Sequence, residues 1–547
     1  MRVSAAGWAL AALLVVAGTF AALPLAVEGP ALISGDEAES VSRALDTVEH
    51  VRRHGVASWP VYASQNQTVN PLHVNTLAAS MLLFGPERPA LAAGVVAGVL
   101  SGVLGLVVYW LVGRLTNRQV GLAATASVLA LPSVSRWFPA AYAEAQLALL
   151  VILAVGLLAV PIRRWGLGRG VLLGVVIGLG LLASPRFLLF LALPIGYWLV
   201  RPRAGGPGLP RRVVVLTAAG LAAAAVASTW HLTQGQSALS HGRVSSGLEL
   251  APVPAHMSER AGVWLKLLAT DGWGYALGLL VAISLIAWVS NLWDTDERGK
   301  DIPDRSFTDA LVMLVLGALP GLALAVWSGV LPNTRDPLPA VMLVALAVLI
   351  VVLSQVDRSR LRRLLWPACV IVIGIQLAAA FATQLPIAAT ALRGRPLEPY
   401  VGALAPALNQ VRPLSIDEAT AVLDRAKGLL SSPDAPTDWY FSGASGVLNV
   451  SRLAMLAKLQ GLPVTFHWGS YSAWSDADRA AKLAEMGTRS CVVVLYEPVA
   501  PPGSELAAMN RHNAEARAFV TNSTNGFQAL DRLSVRTDTY TLFFYRR

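Results

Sequence analysis

The chain has 547 residues, 55% of them hydrophobic and only 14% charged, and its mean hydropathy is +0.55. These values exclude an ordinary soluble domain and indicate a polytopic helical membrane protein. The net charge of +10 does not indicate nucleic-acid binding, because the basic residues lie mostly in short loops between apolar runs and read as topogenic charge.

Residues 8–27 are apolar after Arg2, as in a signal peptide, but no convincing cleavage site follows and the run is long enough to span. Further runs lie near 90–112, 119–134, 141–161, 170–184, 186–200, 213–231, 273–293, 308–330, 338–354 and 364–385, predicting about eleven spans. The fifth and sixth are short, and one long helix broken at Ser184-Pro185-Arg186 is the alternative. Arg163, Arg164 and Arg169 precede the pair, and Arg201, Arg203, Arg211 and Arg212 follow it. If both clusters are cytoplasmic, the chain crosses twice between them, so the run is split in two. The same rule makes the amino terminus cytoplasmic and puts loops 28–89 and 232–271, and the tail from about 386, outside.

The first outer loop opens on Asp36-Glu37. Val41, Ala44, Leu45, Val48 and Val51 then recur at helical spacing with Asp46, Glu49, Arg52 and Arg53 opposite, predicting an amphipathic helix on the membrane surface. Ser34 and Glu37 have capping-box spacing, so the plain role of Glu37 is to satisfy a backbone N–H. Asp36 is left with no evident structural task beyond a second cap, and a carboxylate at the bilayer rim points to function. Asn70-Pro71-Leu72-His73-Val74-Asn75 starts a second interfacial helix that ends at Phe84-Gly85. His73 and Asn75 are candidate contacts to a polar substrate; the plainer expectation for His73 is that it faces water.

An acidic pair after the first span, a surface helix, then Asn-Pro-Leu and a helix ending in Phe-Gly resemble the first outer loop of the GT-C glycosyltransferases. The similarity is greatest to the branch with the bacterial aminoarabinose-to-lipid A transferases and the protein O-mannosyltransferases. Those families commonly have a basic residue before the prolines, where this chain has Asn70. The resemblance implies an inverting transfer from a polyprenyl-phosphate sugar to a protein, lipid or envelope-glycan acceptor. It also implies an acidic residue at the start of the fourth span, a position matched by Glu144 in Ala143-Glu144-Ala145-Gln146. A cavity-facing lysine of those families is matched in position and charge by Arg186; headgroup snorkelling is its plain alternative. In loop 232–271, Arg260 and Lys266 are candidate donor-phosphate ligands, again against a snorkelling alternative.

Asp36, Glu37 and Glu144 are thus the candidate catalytic carboxylates. No cofactor is expected. The histidine spacings match no compact zinc motif, so no metal is assigned. Walker, Gly-x-Ser-x-Gly and His-Glu-x-x-His motifs are absent from the sequence. A transporter or a non-catalytic envelope scaffold are the rival classes; the polar residues collect at the outer rim instead of mid-membrane, which argues against transport.

Beyond residue 385 the pattern changes. Strand-like runs at 439–442, 464–467 and 491–495 alternate with helical patterns near 446–460, 475–487 and 504–520, and two late strands follow near 528–535 and 539–545. This predicts a small α/β domain with a largely parallel sheet. Cys369 falls in a span and Cys491 in a strand, so no disulfide is expected. The expected architecture is a GT-C-like membrane catalytic domain, residues 1–385, and an extracytoplasmic α/β domain, residues 386–547, in a multi-pass plasma-membrane protein.

Overall fold

The computed structural model describes residues 5–28, 33, 35–66, 70–139, 142–160, 166–201, 208–246, 257–292, 305–327, 337–384, 417–430, 437–442, 450–468, 476–497, 507–535 and 540–547. Helix α1 (Ala5–Glu28) is followed by α2 (Gly35–His54), α3 (Trp59–Asn66) and α4 (Pro71–Phe84). The bundle continues with α5 (Pro89–Leu115), α6 (Arg118–Leu129), α7 (Pro132–Trp137), α8 (Ala143–Ala159), α9 (Leu167–Ala183), α10 (Phe187–Val200) and α11 (Leu209–Ser246). Next come α12 (Met257–Leu267), a π-helical turn (Leu268–Gly272), α13 (Gly274–Leu292), α14 (Arg305–Trp327), α15 (Leu338–Arg358) and α16 (Arg362–Gln384).

Among the described residues, six helices are long and apolar enough to cross a membrane, or seven if Ser258–Gly272 and Gly274–Ser290, bent by 92° at their junction, form one broken span. Helices α4, α8, α9 and α10 are apolar but shorter, at 14–17 residues. The split at Ser184-Pro185-Arg186 is present: α9 ends at Ala183 and α10 starts at Phe187. The run expected at 119–134 stops earlier, at Leu129, because Pro132 begins a separate helix, α7.

Small residues set the closest helix contacts. Gly170, Gly174 and Gly178 repeat every fourth residue along α9 and face α11. A Cβ on Gly174 would lie 2.2 Å from the Ala219 carbonyl oxygen, and one on Gly170 2.7 Å from that of Val215. Helices α1 and α5 meet the same way, with Gly94 against Ala22 and Gly98 against Gly18. Lipid offers apolar side chains no less than a neighbouring helix does, so such close backbone approach is what favours association.

Two arginines read from the sequence as topogenic also cap helices. Arg212 is buried and Nη1 donates to the carbonyls of Trp198 (2.9 Å), Leu199 (3.2 Å) and Arg201 (2.7 Å) at the end of α10. Arg169 donates to Leu157 and Val160 at the end of α8. Both place a cation on the negative pole of a helix. At the same end of the bundle, Asn117 donates to Asp357 (2.8 Å), Arg362 donates to Gln119 (2.6 Å), Arg201 pairs with Asp309 (3.5 Å) and Arg358 lies over Phe307. The arginine-rich connections therefore share one end. Helices α2, α4 and α7 lie at the other.

The tail contains α17 (Asp417–Leu430), β1 (Asp438–Ser442), α18 (Val450–Leu459), β2 (Thr465–Trp468), α19 (Asp476–Met486), β3 (Cys491–Glu497), α20 (Ala507–Thr521), β4 (Gln528–Val535) and β5 (Tyr540–Arg546). The sheet order is β2-β1-β3-β5-β4; β1 runs parallel to β2 and β3, whereas β5 is antiparallel to β3 and β4. The sheet is thus parallel in one half only, since only four residues lie between β4 and β5 and so short a connection returns the chain antiparallel. Trp439, Phe441, Val492, Val494 and Phe544 face one side, and Tyr440, Cys491, Val493 and Leu495 the other. On the second side the Tyr440 hydroxyl donates to Glu485, which Lys482 also contacts at 2.6 Å. Burial and that bond raise the Tyr440 pKa, while the Lys482 hydrogen bond lowers that of Glu485. Cys369 and Cys491 are both free and buried.

The surface helix differs from expectation in what covers it. Ala38, Val41, Ala44, Val48 and Val51 of α2 are buried, but by α4 and the tail helix α18. An amphipathic pattern shows that one face is dry; it does not show whether lipid or protein keeps it so. One apolar cluster runs from the bundle through α2 and α18 to the sheet. Lys458 of α18 fastens the contact, with Nζ at 2.7 Å from Asp46 and 2.8 Å from the Ser42 hydroxyl. Both charged partners are more than a third exposed, so a Lys458→Met variant is expected to lose under about 1 kcal/mol in thermal melting, the apolar contacts carrying the interface.

Candidate functional site

Helix α2 begins at Gly35, which puts Asp36 and Glu37 in its first turn. Glu37 is buried, at 4% exposure. Asp36 lies in the same turn. Ser34, its expected capping partner, lies outside the described residues.

Helix α4 joins α2 to the bundle. Asn70 enters it with φ 46°, and Pro71 occupies its first turn, where a missing N–H costs nothing. His73 is fully buried, which corrects the expectation that it faces water: Val74, Leu77, Ala78 and Met81 of the same helix are buried too. Asn75 has a structural task. Its amide donates to the Pro71 carbonyl (2.8 Å), and its oxygen accepts from the Trp59 indole (2.6 Å), tying α3 to α4. Helix α3 is in turn held to α11 by Thr233, whose hydroxyl donates to the Ser64 carbonyl at 2.6 Å.

The second acidic element starts another helix that touches α4. Glu144 is half-buried in the first turn of α8, and Gln146, two residues on, donates to the Thr76 hydroxyl of α4 at 2.9 Å. Helix α4 therefore packs on α2 and is bonded to the start of α8. Arg186 is exposed at the α9–α10 break. Arg260 is half-buried and Lys266 exposed on α12, the arm leading into the bent π-helical turn.

Two charged residues not singled out in the sequence also sit at this end. Arg136, in the last turn of α7, faces Asp271 of the π-helical turn at 3.9 Å and lies 4.3 Å from the centre of the Trp137 ring. Burial lowers the Arg136 pKa, and the Asp271 carboxylate and the Tyr142 phenol oppose that shift. The sequence signal available for them was an isolated cation and an isolated acid, each within two residues of a tryptophan in a connection between apolar runs.

No protein-family model matches the chain, and no curated protein matches it in sequence. Solved structures do match. ArnT from Cupriavidus metallidurans bound to undecaprenyl phosphate aligns over 99% of this chain and 98% of that one, with a TM-score of 0.52 and 14% identity. Its apo form aligns over 92% and 93%, with a TM-score of 0.51 and 14% identity. Both are GT-C glycosyltransferases. The chain has the GT-C fold. The arabinofuranosyltransferase AftD from Mycobacteria shares it over 97% of this chain but 39% of its own length, with a TM-score of 0.52 and 15% identity. In this GT-C chain the tail sheet lies within the stretch aligned to ArnT bound to undecaprenyl phosphate, so the sequence resemblance, clearest in the first outer loop, extends in three dimensions to regions where the sequence showed none.

Proposed function

We propose that the chain is a membrane glycosyltransferase that moves a sugar from a polyprenyl phosphate to an acceptor hydroxyl at the end of the bundle bearing α2. The observation that carries this reading is the fold shared with ArnT, in which α4 packs on α2, the helix that starts with Asp36-Glu37, and bonds to α8 two residues beyond Glu144. Undecaprenyl phosphate bound to that protein supports a lipid-phosphate donor here.

In the proposed reaction the acceptor oxygen attacks the anomeric carbon as the bond from that carbon to the phosphate oxygen breaks. Asp36 takes the hydroxyl proton, and the polyprenyl phosphate leaves as an anion, with inversion. Glu37 and Glu144 orient the acceptor and the developing charge. Arg186, Arg260 and Lys266 neutralise the departing phosphate, which needs no proton donor when cations face it. His73 supports α4 from inside the helix packing, and Asn75 holds that helix to α3. The arginine-rich end is cytoplasmic by the positive-inside rule, and the chemistry and residues 386–547 lie outside the plasma membrane.

The test is donor consumption. The full-length protein in lipid nanodiscs, given pentosyl and hexosyl polyprenyl phosphates with an envelope acceptor fraction, is expected to release polyprenyl phosphate. A folded protein that consumes none of these donors sinks the reading in favour of transport or scaffolding. EDTA is expected to leave the rate unchanged, because side-chain cations balance the phosphate; a rate restored only by added divalent ions would replace that part of the mechanism.

A further inference from the structure

At the α2 end of the bundle, α7 and the π-helical turn are pinned to each other through backbone contacts. The Ser133 hydroxyl donates to the Gly272 carbonyl at 2.8 Å, and the Trp273 indole donates to the Val341 carbonyl at 3.0 Å. Gly274 takes φ +73°, and a Cβ there would lie 2.9 Å from Pro132. This frame holds Arg136 and Asp271 facing each other but apart. Their 3.9 Å separation is well beyond the roughly 2.7–2.9 Å of an engaged guanidinium–carboxylate contact. The side chains are only 23% and 20% exposed, so bulk water neutralises them poorly. A guanidinium carries five N–H donors, and among the described residues that of Arg136 makes no hydrogen bond, only the long ion pair and the stack on Trp137. Trp137 in turn meets Tyr142, the residue preceding α8, edge-on at 5.5 Å. The under-neutralised cation thus lies eight residues before Glu144 in sequence, and its neighbour Trp137 makes a ring contact with Tyr142, the residue preceding the helix turn that bears Glu144.

We propose that Arg136 binds the phosphate of the lipid donor, and that Asp271 holds the guanidinium in the empty protein and is displaced by that phosphate. A planar fork suits two phosphate oxygens, and the stacked tryptophan limits the rotation of the fork. This inference rests on the reading of the chain as a polyprenyl-phosphate-dependent transferase.

The two residues should move affinity in opposite directions. Farnesyl monophosphate is titrated into the purified full-length protein, with binding read from the shift in melting temperature and with inorganic phosphate and farnesol as separate arms. Asp271→Asn removes the competing carboxylate and is expected to bind farnesyl phosphate about two- to five-fold more tightly. Arg136→Gln is expected to bind at least about tenfold more weakly, and Arg136→Lys, which keeps the charge without the fork, falls between. Equal weakening by both changes, or no effect of either, makes the pair a structural tie and overturns the proposal. Inorganic phosphate binding as tightly as the farnesyl ester overturns its assignment to a lipid. If the folded wild-type protein binds no farnesyl phosphate, the donor reading itself falls; binding that is indifferent to Arg136 removes only this inference.

Discussion

An Asp36→Asn variant is expected to transfer sugar about 10²–10⁴-fold more slowly than the parent, the usual contribution of a positioned general base, while its melting temperature and donor binding stay the same. Asparagine keeps the shape and the helix-start position in α2 but cannot accept the acceptor's proton. The neighbouring residue gives the contrast. Glu37 is buried at the start of α2 and orients the acceptor, so Glu37→Gln is expected to lower the melting temperature as well as turnover. Turnover in nanodiscs and thermal melting in detergent separate the two. Undiminished transfer by a folded Asp36→Asn protein would move the base to another carboxylate, with Glu144 next in line. A transporter or a scaffold would show no contrast of this kind.

The second large effect is on stability. Gly174→Ala on α9 puts a methyl group 2.2 Å from the Ala219 carbonyl oxygen and 2.7 Å from the Ala222 Cβ, so α9 and α11 must move apart. Overpacking of this sort costs about 1–3 kcal/mol, more than the roughly 1 kcal/mol that alanine gains over glycine in a helix. Gly220→Ala on α11 meets nothing within 4 Å and keeps only the helical gain. The two variants differ by one methyl group each, so a lower melting temperature for the first and an equal or higher one for the second would locate the glycine contact. Equal melting would mean that the two helices are held by other contacts.

Much of the helical framework was legible because hydrocarbon runs have few alternatives in a membrane: backbone polar groups must be satisfied within the segment, and that makes helices. Pro185 marked the α9–α10 break, and Pro132 ended the run of α6 earlier than its hydropathy did. Short strand-like runs marked all five tail strands. The candidate carboxylates were legible as charges in places where charge is costly. What escaped was pairing. Arg169 and Arg212 read as topogenic cations, and nothing near them in sequence names the carbonyls they cap. His73 read as a polar residue in a polar loop, whereas the packing of α4 buries it. Arg136 and Asp271 stand 135 positions apart, too far for any local pattern to link them.

Composition and periodicity thus determined that the chain would cross a membrane repeatedly, where it would turn, and that an α/β tail would follow, because each of these depends on the free energy of a short segment in its solvent. Tertiary contact alone decided that α18 covers α2, that α4 packs on α2 and bonds to the start of α8, and that Arg136 faces Asp271 across a gap. Those are energies between segments distant in the chain, and they have no value until the segments meet.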